Sequence, residues 1–195
     1  NAPLSVTETA AYYAIKVTLD PGEPGTSGVY RPIKVSAPHG SLVNPVYPAP
    51  VVVGNHETAT RIYEAVLKAI AEINPELAFG AGEGGSNGLS FRSLESGQLN
   101  RIRTIGGHGA CPNLDGITIR SSIGNTGVQS IERLEEDFDF VTTEEFTIVK
   151  DSEGAGTRRG GNAARRTVTF SDDTEIILTC ERAKTGPFGI DGGES

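Results

Sequence analysis

The sequence predicts an α+β fold. Apolar residues recur at helical spacing in two amphipathic stretches within the first 75 residues, and the periodicity then turns to two. The 25 glycines, about twice the usual share, and 11 prolines divide the remainder into short, mostly antiparallel strands joined by Gly-rich loops.

The first helix is expected over residues 3–19. Pro3 suits a first helical position, and Val6, Ala10, Tyr13, Ala14 and Val17 form the stripe. Asp20-Pro21-Gly22 ends it, and a turn-rich loop leads to Gly28. Residues 29–37 alternate like a strand, with Ile33 and Val35 on one face. Residues 40–50 carry Pro45, Pro48 and Pro50, which restricts them to an edge strand or irregular extended chain. The second helix starts at Asn55 as N-cap, with Glu57 in the first turn where the helix dipole favours an acid. Its core stripe is Ile62, Val66 and Ile70, flanked by Tyr63, Leu67, Ala69 and Ile73, and Asn74-Pro75 stops it.

Short strands follow at 89–92, 102–105 and 117–120, and a brief helix at 128–135. Phe146, Ile148 and Val149 mark another strand, after which 152–161 is a Gly- and Arg-rich loop. Residues 165–170 and 175–180 flank Ser171-Asp172-Asp173-Thr174 and read as a hairpin; the tail from Gly186 is loop. The whole chain, 1–195, is expected to form one α+β unit with a sub-boundary near 75–88.

Composition excludes several classes. Net charge is −8, so the basic surface that phosphate binding needs is missing and nucleic acid is not an expected partner. No apolar run reaches the roughly 18 residues of a membrane span. Cys111 and Cys180 make no disulfide framework and suit a reducing, cytoplasmic setting; their role stays open. Methionine is absent and the chain opens Asn1-Ala2-Pro3, which we read as a piece of a longer polypeptide.

The run Gly80-Ala81-Gly82-Glu83-Gly84-Gly85 satisfies G-x-G-x-x-G in letters. A dinucleotide fingerprint must open a helix, whereas Ser86-Asn87-Gly88 and a strand-like Leu89-Ser90-Phe91 follow, and Glu83 would repel phosphates. No nucleotide site is expected. In 152–161, with Arg165 and Arg166 behind it, glycine amides and guanidinium forks suit an anion, but the simpler reading pairs these arginines with Asp151, Glu153, Asp172 and Asp173. His39, His56 and His108 are the only histidines. With Cys111 and Asp115 near His108 they match no standard zinc spacing, so no metal site is expected inside the chain. A His108–Cys111 dyad has no orienting acid in the sequence.

The turn that starts the second helix is different. Asn55, His56, Glu57, Thr58 and Arg61 put polar side chains and uncommitted backbone N–H groups at one helix end, which can hold a carboxylate or carbonyl oxygen. A plain cap accounts for Asn55 and Glu57 but leaves His56 and Arg61 without a role, so both readings stand.

Taken in order, several stretches resemble the hydantoinase B / 5-oxoprolinase family. They are Asn1-Ala2-Pro3-Leu4-Ser5-Val6-Thr7 with Tyr12-Tyr13-Ala14, Tyr30-Arg31-Pro32-Ile33, and Gly40-Ser41-Leu42-Val43-Asn44-Pro45. Gly54-Asn55-His56-Glu57-Thr58 through Arg61-Ile62 and Ile105-Gly106-Gly107-His108-Gly109-Ala110 follow. Asn125-Thr126, the 152–161 loop, and Glu181-Arg182 through Gly186-Pro187-Phe188-Gly189 complete the set. Ala59 stands where the family usually has Ser, Cys111-Pro112 where it has Arg-Pro, and Phe188 where it has Trp.

The resemblance implies part of an ATP-dependent cyclic-amide hydrolase that opens a hydantoin, 5-oxoproline or a lactam. It implies as partners a hydantoinase A-type ATPase subunit, holding ATP and Mg, and the rest of a longer B-type subunit. The same resemblance places a divalent metal in an N-terminal region without counterpart here, and implies that this chain itself binds no cofactor. Ketone carboxylation, shared by related acetone and acetophenone carboxylases, is the alternative chemistry. A non-catalytic structural or assembly module is the alternative class. The five residues of the Asn55–Arg61 turn are the substrate-proximal candidates.

Overall fold

A computed structural model describes residues 1–77, 79–85, 87–123 and 127–194. Its elements are α1 (Leu4–Leu19), α2 (Ser27–Tyr30), α3 (Ala59–Ile73), β1 (Gly88–Ser93), β2 (Leu99–Arg103), α4 (Ile131–Asp137), β3 (Val141–Ile148), β4 (Ala164–Phe170) and β5 (Thr174–Thr179). Helices and antiparallel sheets give the α+β class that the periodicity predicts.

Helix α1 presents a face of small residues, Thr7, Ala10, Ala11, Ala14 and Thr18, all buried. Small side chains let α3 approach closely, and Ala14, Tyr63 and Leu67 form one core with Val17, Val66, Phe79 and Ile123 around it. The Tyr13 and Tyr63 rings stack at 5.2 Å. The buried hydroxyls stay satisfied: Thr18 Oγ1 donates to Ala14 O at 2.9 Å and Thr7 Oγ1 to Val43 O at 2.7 Å. The buried face of α3 is Thr60, Tyr63, Glu64, Leu67 and Ala71, not the expected Ile62, Val66 and Ile70, which are half-buried. Two arginines draw Glu64 inward, and that rotates the helix away from its purely apolar stripe.

The strand expected over 29–37 does not form. Its first residues belong to α2, 31–32 are a turn closed by Ile33 N donating to Tyr30 O at 3.0 Å, and 33–37 have no ladder partner. The alternation is real, since Ile33, Val35 and Ala37 are half-buried and their neighbours exposed, but alternation reports a half-covered surface and not a neighbouring strand. Residues 40–50 are irregular, with one bridge between Ser41 and Asn44 and a cis Tyr47–Pro48 bond.

The strands form two sheets. One has the order β2-β1-β5, with Phe91 opposite Asn100 and Ile176; the other pairs β3 with β4 and shifts register between Thr143 and Glu145. Between them lies the second core, Phe91, Ile102, Leu134, Phe140 and Val141, in which the Phe91 ring centre stands 5.2 Å from Phe170 and 5.4 Å from Phe138. Leu134 comes from α4, whose Ser130 cap accepts from Arg133 N at 3.2 Å.

The expected hairpin of 165–170 with 175–180 is also overturned: β4 pairs with β3, and β5 with β1. The short turn between them carries the chain from one sheet to the other. Asp172 accepts from the buried Ser93 Oγ at 2.6 Å, Leu94 N donates to Asp173 O at 2.8 Å, and Ser171 N to Phe140 O at 2.9 Å. Turn length fixes a reversal of direction but not which strand is met. Residues 117–120 are no strand either; they turn at Ile119 (φ +52°) and bond to the loops around Gly106 and Asn162.

The chain exposes 11380 Å², against about 8,900 Å² for a self-contained monomer of its mass. Tyr47 is 94% and Val52 83% exposed, and Ile177 and Leu178 are exposed on the edge strand β5. No helix among the described residues is long and apolar enough to cross a membrane.

Candidate functional site

A cleft of about 750 Å³ opens between three loop segments, 106–112, 152–163 and 186–194, with 80–83 along one side. Backbone builds it. Gly80 N donates to Ala110 O at 2.8 Å and Glu83 N to Gly107 O at 3.1 Å, which lays 80–83 beside 107–110. On the other flank His108 N donates to Ile117 O at 2.9 Å, Gly161 N to His108 O at 2.9 Å, and Gly116 N to Arg159 O at 2.7 Å. Ala81 N donates to Phe188 O at 3.0 Å and Glu194 N to Ala155 O at 2.8 Å, tying in the last segment.

Glycine is required here by contact. A Cβ at Gly107 would stand 1.9 Å from Gly161 O, one at Gly116 2.0 Å from His108 O, and one at Gly109 2.1 Å from Gly80 O. Backbones press directly on one another, so no other residue fits without parting the loops.

Side chains lining the cleft include Glu83, His108, Cys111, Thr157, Arg158 and Asp191. His108 Nδ1 lies 2.8 Å from Gly109 O; a carbonyl only accepts, so Nδ1 is the donor in this contact. Of the ion pairs expected in the 152–161 loop, Arg159 with Glu153 forms at 2.8 Å. Asp172 serves Ser93 instead, while Arg166 donates to Gln129 O at 3.0 Å and lies over the Phe146 ring.

The turn singled out in the sequence has an unusual form. Gly54–Thr58 is a π-helical turn that continues into α3. Asn55 is not its cap: the preceding position is Val53, at φ +58°, no side chain caps the turn, and Asn55 is exposed. A β-branched residue in the left-handed region is strained, and π turns occur often at functional sites.

Arg61 reaches inward, bonding Glu64 at 2.9 Å and Glu181 at 2.6 Å, and the Arg182 guanidinium also meets Glu64. Burial pushes the Glu64 carboxyl above its ordinary value against the pull of Arg182 and Arg61. The 80–85 loop crosses this charged cluster. A Cβ at Gly84 (φ +98°) would stand 2.5 Å from both terminal nitrogens of Arg61, and one at Gly85 would fall on Glu57 Oε2. The glycines that imitate a nucleotide fingerprint serve this close approach, and the loop runs into β1, as its sequence predicts.

None of Asn55, His56, Glu57, Thr58 and Arg61 lines the cleft. His56 borders a space of about 10 Å³, room for roughly one water, together with Glu83, Asn87 and Arg103. Glu83 therefore stands between the π turn and the cleft. In sequence Glu83 reads only as a phosphate repellent, and nothing there gives a role to Glu64, Glu181 or Arg182. The i,i+3 spacing of Arg61 and Glu64 is the one local signal.

Comparison with known proteins agrees with the resemblance of these loops. Residues 1–195 match the family described as Hydantoinase B/oxoprolinase. The chain belongs to this family. Among its relatives, the 5-oxoprolinase of Dictyostelium discoideum is 31% identical over 100% of this chain and 15% of its own length. An uncharacterised protein of Methanocaldococcus jannaschii is 32% identical over 100% of this chain and 34% of its own. A putative D-/L-hydantoinase B-type subunit from a Pseudomonas species is 28% identical over 88% of this chain and 29% of its own. The chain thus spans between about a seventh and a third of these relatives.

Of the stretches that carried the resemblance, 105–110, 152–161 and 186–189 meet at the cleft, and Asn125-Thr126 lies outside the described residues. Two departures from the family pattern, Cys111-Pro112 and Phe188, line the cleft, and Ala59 is buried at the start of α3. Among the described residues no three His, Cys, Asp or Glu side chains converge to hold a metal ion.

Proposed function

We propose that this chain forms the substrate-binding portion of an ATP-dependent cyclic-amide hydrolase of the hydantoinase/5-oxoprolinase type. One observation carries this reading: family stretches far apart in sequence converge on one cleft of about 750 Å³. That volume admits a five-membered ring with its substituents and leaves room beside it. The walls offer backbone dipoles together with Glu83, His108 and Arg158, groups able to orient an amide or a carboxylate.

Amides are poor electrophiles. A hydantoinase A-type ATPase partner would convert the amide oxygen to a phosphate ester, a far better leaving group, before water attacks. ATP and Mg belong to that partner in this reading, and the divalent metal to the rest of the B-type subunit, in the cytoplasm. Support for so large a remainder comes from the excess surface and from the share of each relative that this chain spans. These same two observations favour a second reading, in which the chain is an assembly module that shapes the pocket while catalysis happens elsewhere.

The strained Val53 and exposed Asn55 support a contact of the π turn with the rest of the assembled enzyme, through which it would position substrate from the side of Glu83 away from the cleft. Asn55→Ser should leave Tm unchanged, because Asn55 makes no cap bond. It should lower kcat/KM about tenfold, or about 1.4 kcal/mol, if the turn positions substrate. Glu57→Gln separates a charged role from size in the same assay. The test of the function itself is ATP-dependent ring opening of hydantoin and 5-oxoproline by the assembled enzyme, with acetone as the carboxylase control. Turnover of a cyclic amide supports the hydrolase; carboxylation of acetone alone would replace it with the alternative chemistry.

A further inference from the structure

Glu83 occupies a built seat between two spaces. Its neighbours Gly82 and Gly84 have no side chains, and Glu83 lines both the large cleft and the water-sized space. Oε2 accepts from Gly106 N at 2.6 Å, and the Asn87 side chain also bonds the carboxyl. Gly106 clears the seat, since a Cβ there would stand 2.9 Å from Glu83 Cβ. The Gly106 amide sits in a loop between segments and begins no helix, so Glu83 is not a helix cap.

Glu57 and His56 face the group from the π turn and Arg103 from β2, while His108, Arg158, Asp191 and Glu194 line the cleft with it. Burial pushes the Glu83 carboxyl above its ordinary value; the Gly106 N–H, Asn87 and Arg103 oppose this, and the nearby Glu57 charge adds to it. A carboxyl so placed can hold a proton at the edge of a cleft and release it there.

We propose that Glu83 exchanges a proton with a cyclic amide held in the cleft, an inference that rests on the function proposed above. Water bonds through its oxygen to the ring carbon whose oxygen carries the phosphoryl group; the neutral Glu83 carboxyl protonates the ring nitrogen, and the resulting carboxylate takes one proton from the water. The C–N bond then breaks as Glu83 passes the adduct's hydroxyl proton to the departing nitrogen, leaving an amine and an acyl phosphate. A second water hydrolyses the acyl phosphate to a carboxylic acid and inorganic phosphate, and Glu83 is restored.

The test is the pH profile of hydantoin and 5-oxoproline ring opening by the assembled enzyme, wild type beside Glu83→Gln. Gln keeps an oxygen to accept from Gly106 N, so Tm should hold. Because the acid must be protonated, wild-type kcat should fall as pH rises through the raised Glu83 value. Glu83→Gln should lower kcat at least about a hundredfold, leave KM within about threefold, and remove that limb. A variant with wild-type kcat and the same limb would overturn the role of Glu83 and leave the hydrolase reading standing. A wild-type enzyme that opens neither ring overturns the functional reading and this inference together.

Discussion

Gly107→Ala will separate the loops that form the cleft. The added methyl would meet Gly161 O at 1.9 Å, and that oxygen is backbone, which cannot rotate aside as a side chain would. Relief requires moving 159–162 away from 107–109, which breaks the Gly161 N to His108 O and Gly116 N to Arg159 O bonds. Overpacking of this kind costs about 1–3 kcal/mol, and the lost hydrogen bonds put this site at the upper end. Tm should fall by about 6–12 °C for a chain of this size. Gly22→Ala is the control: nothing lies within 4 Å of that position, and Tm should be unchanged or slightly higher. Equal, small shifts for both substitutions would mean that the loops are not in backbone contact.

Glu64→Ala should be the most destabilising change outside the cleft. Glu64 is 3% exposed and accepts from two guanidiniums, so its removal leaves Arg182 largely buried without its main counter-charge. Breaking one partner out of a buried ionic cluster costs about 3–5 kcal/mol. The effect should spread in a definite direction, because Arg61 and Arg182 fasten α3 to the segment after β5, beneath Gly84. Glu64→Gln, which keeps volume and an acceptor oxygen, should lose less. Arg133→Ala removes an exposed i,i+4 pair with Asp137 and should leave Tm within error of wild type. Thermal melts of the three variants rank the interactions directly.

The sequence carried the elements better than their partners. Both long helices, the strands at 88–93, 164–170 and 174–179, the end of the strand at 141–148, and the loop character of 152–161 follow from periodicity and glycine placement. Pairing did not, because Ser171 to Thr174 reverses the chain equally well for a hairpin or for a corner between sheets; the choice fell to Ser93, remote in sequence, which holds Asp172. Likewise the apolar stripe of α3 gave the helix but not its rotation, which Arg182 sets from 118 residues away. The site was legible only as family stretches. Composition shows that glycines are many, not that Gly107, Gly116 and Gly161 lie backbone to backbone.

Glu83 illustrates the same limit. Beside Gly82 and Gly84 it reads as a loop residue, and only the approach of Gly106 turns it into a seated carboxyl. The π turn is the opposite case: its residues look functional in sequence, while the fold commits Arg61 to ion pairs and leaves Asn55 open to solvent.

The central claim is that the glycine-walled cleft receives the cyclic amide. Backbone hydrogen–deuterium exchange of the assembled enzyme, with and without saturating 5-oxoproline or hydantoin, tests it most directly. Added protection should concentrate in 106–112, 152–161 and 186–194, with a smaller change at 80–85. Protection confined to 54–61, or absent from all three cleft segments while the ring is being opened, would contradict it.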